Sequence, residues 1–200
     1  MLEFDRLLEI RDTLLGPNGC PWDKEQTLET IKPYILEETH ELLEALDLEE
    51  KEKIEEELGD CFFTLLFLAK LGENKGIFTL STVLRIAIEK LIRRHPHVFD
   101  KVKVSSTHQV IQNWEEIKKK EGKKNPFSGI PASLPALARA QKIIVKLRRA
   151  KKESQAPSTL RSEEELGERL FALVREAETA GIDAESALRR VCLKKEKENE

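Results

Sequence analysis

Apolar positions recur at three- and four-residue intervals through most of this chain, and glycine and proline break the pattern into segments. Leu2, Leu7, Leu8 and Leu14 are spaced as an opening helix that Gly16, Pro17, Asn18 and Gly19 end. After the loop Gly19-Cys20-Pro21-Trp22, Asp23 and Gln26 have capping-box spacing, which predicts a short helix interrupted at Pro33. Proline suits a first turn, so the main helix is predicted to start there and to run to about Asp47. A third helix is predicted over Glu50 to Glu73. It is apolar almost all round between Cys61 and Leu71, which marks it as the central core element. A fourth runs from Leu80 to Arg94, where His95-Pro96-His97 stops it, because the residue before a proline disfavours helical backbone. A further helix is expected around Val110 to Glu121. Lys101 to Val104 alternates for too few residues to make a strand, so the predicted class is all-α, an antiparallel helix bundle.

Asn125-Pro126-Phe127-Ser128-Gly129-Ile130-Pro131 with Pro135 reads as a linker, which sets the expected units at 1–122 and 136–200 with 123–135 between them. Beyond the linker the chain repeats itself. Glu55-Glu56-Glu57-Leu58-Gly59-Asp60 returns as Glu163-Glu164-Glu165-Leu166-Gly167-Glu168, and Phe63, Leu65 and Ala69 match Phe171, Leu173 and Ala177 in register. The second copy is degenerate and truncated: Lys151 to Ser162 stands where the first has a whole helix, and Asp60 has become Glu168. Its leftover apolar stripe, Leu166, Leu170, Leu173 and Val174, would gain from burial in a dimer.

The 200 residues are 40% apolar, enough for a real core, and 36% charged with a net charge of only −3. That near-cancellation argues against a polymeric nucleic-acid partner, which needs a basic field. Cys20, Cys61 and Cys192 are far apart and in no Cys-x-x-Cys spacing, as expected in a reducing compartment, the cytoplasm. The first residues are acidic rather than basic, and the longest nearly apolar run, Cys61 to Ala69, is far short of the roughly 20 residues that cross a bilayer. Neither secretion nor membrane insertion is expected.

The candidate chemistry lies in four carboxylates forming two i, i+3 pairs on consecutive helices: Glu38 with Glu41, and Glu57 with Asp60. On a helical wheel Ile31, Ile35, Leu36, Leu42, Leu43 and Leu46 share one arc, with Glu38 at its edge beside Tyr34 and Ala45. Glu57 falls among Cys61, Thr64, Leu68 and Leu71, and Asp60 beside Phe67 and Leu71, so these two acids are expected to be at least half buried. A carboxylate taken out of water costs several kcal/mol unless it is protonated, paired or bound to a cation. Two such pairs on antiparallel helices make a cage for hard divalent cations. The alternative is a solvated acidic face. His40 follows Glu37 in the Glu-x-x-His spacing of di-iron bundles, but His95, His97 and His108 supply no second copy, so His40 is expected to be a surface or packing residue. No Gly-x-x-x-x-Gly-Lys-Ser/Thr loop is present to cradle phosphates.

Glu37-Glu38-Thr39-His40-Glu41 followed by Glu57-Leu58-Gly59-Asp60 resembles the acidic pattern of the MazG nucleoside triphosphate pyrophosphohydrolases, all-α enzymes. The flanking segments strengthen the resemblance: Gly19-Cys20-Pro21-Trp22-Asp23-Lys24-Glu25-Gln26-Thr27 upstream, Arg93-Arg94-His95-Pro96-His97-Val98-Phe99 downstream, and Asn113-Trp114-Glu115-Glu116-Ile117-Lys118 beyond. It implies a MazG-like bundle and hydrolysis of nucleoside triphosphates to monophosphate and pyrophosphate. It also implies a homodimer and dependence on Mg²⁺, with Mn²⁺ as the alternative. Only the first unit keeps the full acid set, so it is the expected catalytic unit.

On this reading Glu38, Glu41, Glu57 and Asp60 are metal ligands, and Mg²⁺ completes its octahedron with water and substrate phosphates. Glu37, with Glu56 as the weaker candidate, would orient or deprotonate the attacking water. Lys90, Arg93 and Arg94, at i, i+3 and i+4 near a helix end, are candidate phosphate contacts, although the helix dipole favours cations there in any case. Trp22 could stack on a base, whereas Trp114 is expected to pack. Lys118-Lys119-Lys120 and Lys123-Lys124 read as solvated. Two other classes compete: a non-catalytic nucleotide-binding protein derived from such an enzyme, and a di-iron oxidoreductase.

Overall fold

The helical periodicity carries directly into a computed structural model of the chain, which describes residues 2–122, 125, 127–150 and 159–199. Lys123, Lys124, Pro126 and residues 151–158, within the stretch standing in place of the second copy's missing helix, lie outside the described residues. Among the described residues every regular element is a helix and there is no strand, so the protein is all-α. Among the described residues no helix is long and apolar enough to cross a membrane. The chain divides into two compact units, Met1–Lys103 and Val104–Glu200.

The first unit holds α1 (Leu2–Leu14), α2 (Pro21–Glu25), α3 (Lys32–Asp47), α4 (Lys51–Asn74), α5 (Leu80–Arg94) and α6 (Pro96–Phe99). Pro33 occupies the first turn of α3, and α5 ends where Pro96 forces a break, both as the sequence predicts. The helix ends show how the chain reverses. Glu50 N–H bonds to Ala45 C=O and Glu49 N–H to Leu46 C=O, a Schellman motif with Glu49 left-handed at φ 55°. The same motif closes α4, where Ile77 bonds to Gly72 and Gly76 to Glu73, but there glycine holds the left-handed position at φ 67°. Three residues between α3 and α4 leave room only for an antiparallel hairpin. Its core is Ile31, Phe67 and Leu71, with Leu15, Leu28, Tyr34, Ile35, Phe63 and Leu68 packed around them.

α1 lies on α4 through a charge contact. Arg11, 4% exposed, donates from Nε and Nη2 to Asp12 at 3.0 and 2.8 Å, and Lys70 of α4 reaches the same carboxylate at 3.1 Å. Burial pushes Asp12 upward, but the hydrogen bonds from Arg11 and Lys70 outweigh it and hold the carboxyl below its ordinary range. The capping-box expectation needs correction. Cys20, not Asp23, is the N-cap of α2 and gives no side-chain bond, so Asp23 lies within the first turn with its carboxyl released from capping.

The second unit holds α7 (Thr107–Lys120), α8 (Ala136–Arg149), α9 (Glu163–Thr179) and α10 (Ala184–Lys197). α7 thus groups with the later helices, before the boundary at 122 expected from the sequence; Glu115 of α7 pairs with Arg149 of α8 at 3.2 Å. Phe127, inside the stretch read as linker, is buried with Ile143, Leu147 and Cys192, so a large side chain anchors that proline-rich segment. Arg139 of α8 forks onto Glu196 of α10 at 2.7 and 3.2 Å, and both side chains are nearly buried. The two copies of the Glu-Glu-Glu-Leu-Gly motif both fall on helices, α4 and α9.

A left-handed glutamate costs roughly 1 kcal/mol that glycine avoids. Glu49→Gly is therefore expected to raise stability by about 0.5–1 kcal/mol, net of glycine's extra unfolded-state entropy. Urea unfolding midpoints would check this; a lower midpoint would show that the Glu49 side chain contributes more than its backbone costs.

Candidate functional site

The α3–α4 hairpin brings acid to acid by simple counting. Glu41 and Glu57 lie eight residues either side of the left-handed Glu49, and Glu38 and Asp60 lie eleven either side. In an antiparallel pair with a common rise per residue, Glu41 then faces Glu57 and Glu38 faces Asp60. The electrostatics follow that register. After burial, Asp60 is the strongest charge acting on Glu38 and Glu41 the strongest acting on Glu57.

Carboxylate atoms of Glu38, Glu41 and Glu57 all lie within 4.8 Å of one another. Oxygen ligands of one Mg²⁺ are about 3–4 Å apart at bond lengths of 2.0–2.1 Å, so a small inward movement would let one hard cation bridge the three. Asp60 lies outside this group, and it is exposed rather than half buried as its wheel position suggested. The physical reason is that its stretch of α4 has too little packed over it. Glu57 and Glu38 are half buried, while Glu41, Glu37 and Glu56 are exposed. His40 is exposed as well, the position expected of a residue outside the site.

Crowding like charges has a measurable consequence. Burial first, then Asp60, Glu41, Glu57 and Glu37, push the Glu38 carboxyl up. Burial, Glu41, Glu56 and Asp60 push Glu57 up, against the opposing pull of Lys53, whose ammonium is already paired with Glu50 at 3.0 Å. The Cys61 thiol beside them is also raised, by burial and by Glu38, Glu57 and Asp60, although a hydrogen bond with Thr39 opposes this. It is held as a thiol, so the available donors are carboxylate oxygens, a set suited to a hard cation.

An aromatic cleft adjoins the acids. Trp22, Asp23, Ile31, Tyr34, Glu38, Phe63, Thr64 and Phe67 line about 170 Å³. Trp22 meets Tyr34 edge to face, with ring centroids 5.5 Å apart at 82°, and is still 52% exposed. Tyr34 precedes Glu38 by one helical turn, so one helix supplies both an aromatic wall and an acid. Sequence reasoning takes Trp22 as a substrate contact, but reads Tyr34 only as a wheel neighbour of Glu38 and Asp23 only as a helix cap. The i, i+4 relation of Tyr34 to Glu38 was the available signal for the tyrosine.

The other candidates lie on other helices. Lys90 and Arg93 are exposed and Arg94 half buried near the end of α5, whereas the charges named above as acting on Glu38 and Glu57 come from α3 and α4. Trp114 is half buried, with the Lys118 ammonium 5.1 Å from its ring centroid. In the second copy Glu165, the counterpart of Glu57, is paired with Arg169 at 2.6 Å and accepts the Arg161 N–H.

Comparison with known proteins converges on one group. The model of the MazG nucleotide pyrophosphohydrolase domain matches residues 26–99, which include the six candidate acids Glu37, Glu38, Glu41, Glu56, Glu57 and Asp60. The chain is 37% identical over 218 residues to the nucleoside triphosphate pyrophosphohydrolase of Escherichia coli K12, covering 95% of this chain and 83% of that protein. It is 37% identical over 214 residues to the nucleoside triphosphate pyrophosphohydrolase/pyrophosphatase MazG of Thermotoga maritima, covering 96% and 82%. YabN of Bacillus subtilis is 46% identical over 144 residues, but the match spans only 29% of that longer protein. Among solved structures, a mazG-related protein from Thermotoga maritima superposes with a TM-score of 0.52 at 30% identity, covering 57% of this chain and 98% of that one.

Raised carboxyl pKa values fix the sign of a pH effect. A group whose folded pKa lies above its unfolded value favours folding at low pH, and that contribution is lost as pH rises through the folded pKa. In EDTA the acid cluster should therefore lower stability as Glu38 and Glu57 ionise. Glu38→Gln is expected to raise the unfolding free energy read from urea titration at pH 7, by no more than about 1 kcal/mol for such half-exposed charges, and to change it little at pH 3.5. A destabilised variant at pH 7 would mean that Glu38 has a favourable partner instead.

Proposed function

Because the chain belongs to the MazG nucleotide pyrophosphohydrolase family, we propose that it hydrolyses nucleoside triphosphates between the α and β phosphates, releasing monophosphate and pyrophosphate. The observation that carries this reading is the convergence of Glu38, Glu41 and Glu57 within 4.8 Å, with Asp60 opposite Glu38, beside a cleft walled by aromatic rings. These four acids would hold Mg²⁺, or Mn²⁺ in its place. When bound, the metal would supply charge neutralisation at the triphosphate and polarisation of the scissile anhydride.

The side chains divide the remaining work. Glu38, Glu41, Glu57 and Asp60 position the phosphates through the cation and repel a triphosphate that arrives without one. Glu37 borders the cluster on α3 and Glu56 borders it on α4; either exposed carboxylate can orient water and accept its proton, and Glu37 is the preferred base. Lys90, Arg93 and Arg94 are the cations proposed to steer the outer phosphates. Trp22 offers an indole face to the base.

The chemistry is assigned to the first unit. Glu165 in the second copy is already paired with Arg169, and Glu168 is one methylene longer than Asp60, which supports a packing, dimerisation or regulatory role for the second unit. We also propose a homodimer. Leu58, Phe62 and Leu65 form an i, i+4, i+7 row on α4 and remain 55%, 46% and 53% exposed, a stripe of the kind that a second helix covers. Its burial in a second copy fits the isologous packing of small homodimers. The three free cysteines support a cytoplasmic location.

Pyrophosphate release with Mg²⁺ is expected from nucleoside triphosphates, with monophosphate as co-product. EDTA, Glu38→Gln, Glu41→Gln and Asp60→Asn should each lower it at least about 100-fold while the helical circular dichroism is kept. Binding without turnover would instead favour a nucleotide-binding protein. Leu65→Glu is expected to convert a dimer to monomers in sedimentation equilibrium; a monomeric wild type would overturn the dimer.

A further inference from the structure

We infer that Asp23 selects the base, and that the preferred substrate class is the guanine nucleotides. This rests on the reading of the α3–α4 acids as the triphosphate site. The cleft of about 170 Å³ is smaller than the roughly 300–1,000 Å³ that enclose a drug-sized ligand, so it admits a planar ring rather than a whole nucleotide. Glu38 is among its lining residues, and Trp22, Tyr34, Ile31, Phe63 and Phe67 form its apolar walls. A nucleotide whose phosphates sit at the acids would therefore place its base between these walls.

Asp23 lines this cleft, half buried in the first turn of α2. It does not cap the helix, which starts from Cys20, and among the described residues its carboxylate takes no hydrogen bond and no ion pair. An ionised carboxylate is an acceptor with no proton to donate. It therefore suits a base edge that offers two adjacent donors and is repelled by one that offers an acceptor there.

Guanine presents N1–H and the 2-amino group side by side, and the two oxygens of Asp23 can take both. Hypoxanthine keeps N1–H and lacks the amino group. Adenine and cytosine each pair an amino donor with a ring acceptor, and uracil flanks its single N–H with two carbonyls. The side chain thus ranks guanine first, hypoxanthine second and the others last. Hydrogen bonds to a charged group correspond to roughly tenfold to hundredfold discrimination.

The test uses the full chain. With Mg²⁺, kcat/KM for GTP is expected to exceed that for ITP about tenfold, and those for ATP and UTP by more. Asp23→Asn, which turns one acceptor into a donor, should transfer the preference to ATP, because an amide matches the donor–acceptor edge of adenine; Asp23→Ala should flatten the series. Thermal melts would verify that both variants fold. Calorimetric titration with GMP, IMP and AMP in the presence of Mg²⁺ gives an independent readout, and GMP should bind at least tenfold more tightly than AMP. Turnover of all four triphosphates at similar kcat/KM would overturn this inference and leave the hydrolase reading intact. No turnover, with GMP still preferred, would sink the hydrolase reading and leave the inference standing. Equal or absent binding of the three monophosphates together with no turnover would sink both.

Discussion

The register of the α3–α4 hairpin is the constraint on which the rest of the molecule depends. A three-residue reversal centred on Glu49 sets acid opposite acid at two levels, and a one-residue slip would rotate the carboxylates of one helix away from those of the other by about 100°. Repulsion among Glu38, Glu41, Glu57 and Asp60 opposes that register. Apolar packing two to three turns further along, at Ile31, Phe67 and Leu71, supports it. The acids thus stand between that core and the turn, with Ala45 buried on the turn side of them.

The small elements before α3 derive their importance from the same hairpin. α2 has only five residues and no side-chain cap, so it is not stable by itself. It is held by contacts that matter for the cleft: the edge-to-face meeting of Trp22 with Tyr34, the Lys24 ammonium on the Pro17 carbonyl, and the hydrogen bond from the Gln26 amide to the Trp22 carbonyl. Tyr34 and Glu38 share a face of α3, which joins an apolar wall to an ionic floor. α1 is tied to α4 by the buried Arg11 and its shared partner Asp12, a contact whose charges offset one another, in contrast to the acid cluster.

The second unit shows the same motif used differently. In α4 the Glu-Glu-Glu-Leu-Gly-Asp run faces the acids of α3; in α9 the equivalent glutamate is satisfied by Arg169 four residues along the same helix. The stabilising ionic contact of this unit is instead the nearly buried Arg139–Glu196 fork between α8 and α10. Repetition of sequence therefore gave repetition of helix, while the partners of the glutamates diverged.

The sequence by itself determined the helices, because their signals are local: apolar spacing, Pro33 in a first turn, and proline after His95. It also determined which acids are candidates, since i, i+3 pairs share a face whatever the tertiary arrangement. Only the tertiary structure decided that Glu38, Glu41 and Glu57 gather while Asp60 stays outside and exposed, because burial depends on what lies across the hairpin and a wheel sees one helix alone. The same limit hid Asp23 behind a capping-box spacing: whether a side chain caps depends on where the backbone turns, and here it turns at Cys20. It also hid Phe127, since composition marks a segment as a linker and only a neighbouring helix pair can bury one of its rings. Information spaced within a turn or two was legible in the chain; information that depends on contacts between distant segments required the fold.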